Sequence, residues 1–386
     1  MGVYCAMRFT QHALARRLRA TAAIAALPVL LAAGATSASA AVAVADSFVV
    51  TKLVSDQPGV AATTDPNLVN PWGLVASATG PWWASDNGTG LSTLYSGAGG
   101  IIPLVVAVPA PAAAPAGLVP GASGIVFNGG TSFVVSNGTT SGPAAFIFST
   151  EDGTISGWSP AVDRTHAIRT VDNFGGGTGA VYKGLALASN SQAQQRLFAT
   201  NFRSGRIDVF DTAFKPVRLA PSAFVDPFLP DNFAPFGVAS IQGNLFVTYA
   251  KQNATRDADV AGPGNGFIDV FNTDGRLLRR FASRGALNSP WGLAVAPASF
   301  GSVGGDLLVG NFGNGRIHAF ELDAERGRAD FAGTLSDAND HAIVIDGLWA
   351  LQFGNGAASG PATTLFFTAG PNNQTHGLFG SLVPGA

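Results

Sequence analysis

Apolar residues in this chain fall in short runs separated by Gly-, Asn- and Asp-rich turns, with alternation inside many runs and no sustained helical spacing. The clearest stretch is Pro290–Phe320. It reads as a strand at Pro290-Trp291-Gly292-Leu293, a Gly-rich turn, a strand at Asp306–Gly310, the loop Asn311-Phe312-Gly313-Asn314-Gly315, and a strand at Arg316–Phe320. Part of it recurs: Asn201-Phe202-x-x-Gly205-Arg206-Ile207-x-x-Phe210 matches Asn311-Phe312-x-x-Gly315-Arg316-Ile317-x-x-Phe320 position for position. A unit that repeats this closely is a structural module.

The pattern predicts six such units. Their anchors are Trp72-Gly73-Leu74, Ser123-Gly124-Ile125, Lys183-Gly184-Leu185, Phe236-Gly237-Val238, Trp291-Gly292-Leu293 and Asp346-Gly347-Leu348, at spacings of 51, 60, 53, 55 and 55 residues. Second strands are expected at Trp82–Ser85, Phe133–Ser136, Leu197–Thr200, Leu245–Thr248, Leu307–Gly310 and Leu365–Thr368. Third strands are expected at Leu91–Ser96, Ala145–Ser149, Ile207–Asp211, Phe267–Asn272, Ile317–Glu321 and Gly377–Leu382, with hairpin turns at Asp152-Gly153 and Asp274-Gly275. Fourth strands are expected in the first five units. Such a repeat predicts an all-β, six-bladed β-propeller as one domain over 41–386. The sixth unit lacks a fourth strand, and Ser47–Val54 is a strand without a unit, so that strand is expected to pair with Gly377–Leu382 and close the ring. Three segments interrupt the repeat: the Pro/Ala-rich Val108–Gly121, the Gly-rich Phe174–Gly179, and the polar insertion Ala250–Gly266, long enough to act as a lid.

Composition agrees with strands. The 386 residues include 49 Gly and 23 Pro, only 12% are charged, and just three Glu and four Lys occur, too few for surface helices laced with Glu–Lys pairs. Residues 1–40 read as a cleaved signal peptide: Arg8, Arg16, Arg17 and Arg19, an apolar stretch Ala20–Ala33, and the small-residue site Ala38-Ser39-Ala40. The protein is therefore expected to be exported, periplasmic or extracellular, from a bacterial cell; Arg16-Arg17 leaves Sec and twin-arginine export both open. Four of the 22 basic residues lie in the leader, leaving 18 against 24 acids, a net charge of −6. That disfavours nucleic acid as a partner, and no integral membrane segment is expected after cleavage. The single cysteine, Cys5, leaves with the leader, so a monomer held by burial rather than disulfides is expected.

Several runs carry a resemblance: Asn70-Pro71-Trp72-Gly73, Asp86-Asn87-Gly88-Thr89-Gly90, Thr150–Trp158, Tyr182–Ala186, Ala199–Phe202, Val247–Gln252, Gly264–Phe267 and His376–Gly380. Over roughly 46–384 the chain resembles an uncharacterised family of bacterial exported propellers, distantly similar to NHL-repeat and gluconolactonase-type propellers. The resemblance implies the fold and export, and no activity.

In a propeller, strand-one beginnings and strand-two ends share a face. That face is predicted to gather Trp72, Asp86, Asn87, Asn137, Lys183, Asn201, Arg203, Tyr249, Trp291, Asn311 and Asp346, an aromatic and polar set suited to a ligand. The bland alternative is that the Asn and Asp residues serve turns and the Trp residues plug the channel. No serine-hydrolase elbow, phosphate loop or His-Glu-x-x-His occurs. Asp257-x-Asp259-x-x-Gly262 opens like a calcium loop, but Ile268 stands where a bidentate Glu is required. His318 holds the third-strand position of Asp208 and Asp269, which points to a structural role.

The first functional expectation is a binding module for a protein, glycan or small ligand. The alternative is a lactonase-type hydrolase with an axial Ca²⁺ or Mg²⁺, for which Asp86, Asn201, Asn311 and Asp346 are the candidate ligands and Asp86 or Asp346 the catalytic base. A third is a structural component of the cell envelope. The best candidates lie where the units differ: Asp86, Lys183, Tyr249, Asp346 and the loop 250–266.

Overall fold

The computed structural model describes residues 43–322 and 329–385; the expected leader lies outside them. The described chain is all-β apart from three short helical turns of three or four residues. A four-stranded sheet is built from Pro71–Ala76, Trp82–Asp86, Leu91–Tyr95 and Ile101–Ala107, and another from Ala122–Phe127, Phe146–Thr150, Thr154–Trp158 and Ile168–Asp172. Tyr182–Ser189, Gln195–Asn201 and Arg206–Phe210 form a three-stranded sheet, and Phe233–Ile241, Asn244–Lys251, Phe267–Asn272 and Leu277–Ser283 a further four-stranded one. The last is nine-stranded. In it Pro290–Val295, Leu307–Asn311, Ile317–Phe320 and Phe331–Ser336 lead onto β1 (Ala43–Ser55), which continues into Leu378–Pro384, Leu365–Ala369 and Leu348–Phe353, with the two-residue strand Thr63–Thr64 also paired to β1. β1 runs parallel to Phe331–Ser336 and antiparallel to Leu378–Pro384, pairing Phe48 with Pro384 and Ser55 with Leu378.

The first strand of each group lies against the first strand of the next, and Leu348–Phe353 lies against Pro71–Ala76. Sheets arrayed in this way about a common channel are the architecture of a β-propeller. Second strands such as Trp82–Asp86 and Leu307–Asn311 are buried along their whole length, because both faces are covered by neighbouring sheets. The outer strand Ile101–Ala107 instead alternates exposed and half-buried positions over most of its length.

Two devices join the sheets. A Cβ on Gly237 would lie 2.3 Å from the Trp291 carbonyl oxygen and one on Gly292 2.4 Å from that of Trp349, so glycine permits the inner strands to approach. Hydroxyls then bridge the gap. Thr200 Oγ1 accepts from Gly184 N at 2.7 Å and donates to Phe236 O at 2.8 Å, and Thr368 Oγ1 accepts from Ala350 N at 3.1 Å and donates to Trp72 O at 2.6 Å.

The structure corrects three expected elements. In the second unit the second strand is Phe146–Thr150, not Phe133–Ser136; the latter run belongs to an inserted hairpin, Val134–Ser136 with Ser141–Pro143. In the sixth unit the equivalent of Trp291-Gly292 is Trp349-Ala350, as the Thr368 bond to Ala350 shows; Gly347 sits in a turn at φ 67°. The third unit has no fourth strand. His318 does occupy the register of Asp208 and Asp269: these pair with Val309, Ala199 and Val247. It is buried, with Nδ1 2.8 Å from Thr334 Oγ1.

Candidate functional site

The face at which first strands begin and second strands end is floored by aromatic rings. Trp349 stacks between Trp72 (centroids 3.7 Å apart) and Phe312 (4.0 Å), and Trp291 stands edge-on to both Trp72 and Trp349. Phe202 and Phe236 complete the cluster. A cavity of about 280 Å³ lies along the first strands, lined by residues including Leu74, Ile125, Leu185, Leu293 and Leu351, with Trp291 at its wall.

On this floor sits a buried charge. Lys183 is the second residue of its strand, and its side chain is only 3% exposed. The ammonium lies 5.1 Å from the Trp72 ring centre and 5.6 Å from that of Phe202, within cation–π range. It donates to Glu151 Oε1. Glu151, whose side chain is 28% exposed, directly follows the second strand of its own sheet. Its Oε2 accepts from Asn87 Nδ2 at 2.8 Å; Asn87 Oδ1 accepts from Asn70 Nδ2 at 3.1 Å, and Asn70 Oδ1 accepts from Trp349 Nε1 at 3.0 Å. Trp291 Nε1 donates to Lys183 O at 3.1 Å. One continuous polar chain therefore ties the floor to the charge pair.

The insertion 250–266 folds onto the same face. Val260 N donates to Lys251 O at 2.8 Å, Gly262 N to Asn288 Oδ1 at 2.7 Å, and Ser289 N to Asn265 O at 2.9 Å. Within the loop, Asp257 pairs with Arg203 at 3.5 Å, and the hydrogen bonds from Thr255 and Asn253 hold its pKa below the ordinary value. Asp259 is different. Burial pushes its pKa up, Ser289 and Lys183 oppose this, and Glu151 adds to it. The Ser289 hydroxyl thus lies close to this carboxyl, yet neither Asp259 Oδ2 nor Ser289 Oγ completes a hydrogen bond of normal geometry.

Of the residues predicted for this face, Trp72, Asn87, Lys183 and Trp291 converge, and Arg203 stands at the loop. Asn201 and Asn311 are spent on structure. Asn201 accepts from Val181 N at 3.3 Å and donates to Asp208 Oδ2 at 2.9 Å; Asn311 accepts from Asn288 N at 3.1 Å and donates to Ala286 O at 2.8 Å. Tyr249 is buried, its hydroxyl in the interior beside Asp269. Asp346 is exposed and accepts from Asn372 N at 2.8 Å. Asp86 is fully sealed, and burial, with Asp65 adding to it, holds its pKa well above the usual carboxylate range. Asn137 does not reach the face: it lies in the inserted hairpin and donates to Val162 O, beyond the opposite end of Thr154–Trp158.

Among the described residues no group of three or more His, Cys, Asp or Glu is placed to hold a metal ion. Asp86, Asn201, Asn311 and Asp346 do not form a ligand set: one is sealed, two are hydrogen-bonded to backbone, and the fourth faces solvent. Sequence reasoning missed Glu151, Ser289, Asn70 and Trp349, and reached Asp259 only as part of the loop 250–266. Aligning Ser149-Thr150-Glu151 with Ser85-Asp86-Asn87 and Thr200-Asn201-Phe202 would have found Glu151; the proximity of Asp259 to Lys183 crosses sheets and left no trace.

No protein-family model matches the chain. An uncharacterized protein of Acanthamoeba polyphaga mimivirus, L690, is 34% identical over 341 residues, covering 86% of this chain and 84% of that one. A second from the same virus, R648, is 32% identical over 339 residues, covering 86% and 78%. These relatives give no support to the expected bacterial source. Among solved structures, a glucose dehydrogenase aligns with TM-score 0.49 at 13% identity, over 88% of this chain and 99% of that one. An inactive variant of virginiamycin B lyase from Staphylococcus aureus aligns with TM-score 0.47 at 13% identity, over 87% and 99%.

Proposed function

The chain belongs to the family of the mimivirus uncharacterized proteins L690 and R648, whose names assign no activity, and from that premise we propose that it is a six-bladed β-propeller, closed by β1, that binds a ligand on the face around Lys183 and Glu151. The pairing of β1 with Leu378–Pro384 and the Thr368 bridge to Trp72 support the closed ring. The binding reading is carried by one observation: a buried Lys183 paired with the half-buried Glu151 on an aromatic floor, with Asp259 Oδ2 and Ser289 Oγ, neither in a hydrogen bond of normal geometry, beside the pair. Leaving buried polar atoms unpaired costs about 1–3 kcal/mol each, which a ligand recovers. These atoms are covered by loop 250–266, so a small molecule or a glycan end group suits the site better than a flat protein surface. The leader expected at 1–40 supports export to the periplasm or beyond, and the net charge of −6 expected after its removal disfavours a nucleic-acid partner.

A second reading is enzymatic. The raised pKa of Asp259, next to Glu151 and Lys183, is the arrangement of a general acid or base, and it asks for no metal ligands. The Ca²⁺ or Mg²⁺ hydrolase draws no support from the dispersed Asp86, Asn201, Asn311 and Asp346.

The test is a thermal-shift screen of mono- and oligosaccharides and small metabolites, followed by titration of hits against Glu151→Gln and Asn87→Ala. Binding weakened at least tenfold in either variant supports the face. A hit that binds both variants as it binds the parent protein places the site elsewhere.

A further inference from the structure

Proline biases the residue before it toward an extended conformation, yet Ser289, before Pro290, has φ 46°, and Asn70, before Pro71, has φ 48°. Both residues hold the same place, just ahead of a Pro-Trp pair that begins an inner strand. Held in a sparsely populated conformation, each should have a use that compensates. For Asn70 the use is visible: its amide bonds Asn87, Gln374 and Trp349. Ser289 is fully buried, and its hydroxyl lies close enough to Asp259 to act on it yet completes no hydrogen bond of normal geometry.

The acid nearest this hydroxyl in effect is Asp259, whose Oδ2 is likewise buried and unpartnered. The charges around it do not balance. Lys183 is bonded to Glu151, so that pair is neutral, and Arg203 is paired with Asp257 on the outer part of the loop. Lys183 acts on Asp259 as well, but these five groups set three acids against two bases. Trp291 and Phe312, the two half-buried rings of the floor, belong to the same face.

Resting on the binding face proposed above, we infer that the site takes the compact ammonium group of a primary-amine ligand, accepted by Asp259 Oδ2 and Ser289 Oγ under loop 250–266. An ammonium donates to both orphaned oxygens, supplies the missing positive charge, and is attracted by indole and phenyl faces. A neutral hydroxyl satisfies the oxygens and leaves the charge; a carboxylate is repelled by it.

The experiment is calorimetric titration and thermal shift with cadaverine and benzylamine, using 1,5-pentanediol and benzyl alcohol as neutral isosteres. Both amines are expected to bind at least tenfold tighter than their alcohols. Asp259→Asn should remove that preference, and Ser289→Ala, which keeps the charge, should weaken amine binding by a smaller factor. Amines that bind no better than the alcohols, or not at all up to 10 mM (roughly the weak end of specific binding), overturn the inference. So does an amine preference that survives Asp259→Asn in a folded variant. If a neutral or anionic ligand from the wider screen still loses affinity in Glu151→Gln, the face stands and only the ammonium assignment falls.

Discussion

Removing one side of the Lys183–Glu151 pair should be far worse than removing the other. The Lys183 side chain is 3% exposed and Glu151 28%, so the two partners differ in what water can do for them once alone. Glu151→Gln leaves the ammonium sealed against Trp72 and Phe202 with no acid bonded to it. Breaking a buried pair in this way costs about 3–5 kcal/mol. Lys183→Met leaves Glu151 partly hydrated and still bonded to Asn87, while the thioether chain fills the space over the rings. With solvent screening the orphaned carboxylate, that loss is about 1 kcal/mol. At an unfolding entropy of about 2.1 cal/mol/K per residue, a domain of this length shifts its melting point by roughly 1.4 °C per kcal/mol. Glu151→Gln should therefore melt about 4–7 °C lower and Lys183→Met within about 2 °C of the parent. The double variant Lys183→Met/Glu151→Gln should recover to near the level of Lys183→Met. Scanning calorimetry of the three variants decides it: a Lys183→Met protein that melts as low as Glu151→Gln, or a double variant that melts lower than both, would refute the buried-cation reasoning.

Three further outcomes follow from the same structure. Asp86 has a folded-state pKa raised above 3.8 by burial, so the folded chain holds its proton more tightly than the unfolded chain. Its contribution to stability is full below about pH 4 and is lost as pH rises through the folded pKa; Asp86→Asn should flatten that decline in urea titrations at a series of pH values, and an unchanged slope would show that the carboxyl is not sealed. Just past the pairing of β1 with Leu378–Pro384, Asp56 accepts from Gly377 N at 2.8 Å and pairs with His376 Nδ1 at 2.7 Å. Asp56→Ala should cost about 1–3 kcal/mol and deletion of 43–55 far more; a deletion variant that melts with the intact protein contradicts closure by β1.

The fold was legible wherever a close approach between sheets imposed a glycine. Gly73, Gly124, Gly184, Gly237 and Gly292 are repeated because a Cβ would meet the next strand, and five anchors were found from them. The sixth slipped because Ala350 fills that place while Gly347, three residues earlier, serves a turn. The second unit slipped because the inserted hairpin carries its own apolar run, Phe133–Val135, of which Phe133 and Val135 are buried in the cluster with Phe214. Register, not composition, hid Glu151: Asp152-Gly153 beside it reads as a turn, and it is one, yet the carboxylate reaches Lys183 in the next sheet. The converse error was Asp86, an acid in the right register whose side chain turns inward. Sequence pattern assigns a residue to a strand end; which way its side chain points there is decided by the neighbouring sheets.

The claim that binding belongs to the face around Lys183 is tested most directly by hydrogen–deuterium exchange with the tightest ligand from the thermal-shift screen. Protection is expected in 251–266, 149–153 and 286–291, the segments that carry Asp259, Glu151 and Ser289. Protection confined to the far end of the channel near Ser240 and Gln352, or to the outer edge of Arg206–Phe210, would contradict it.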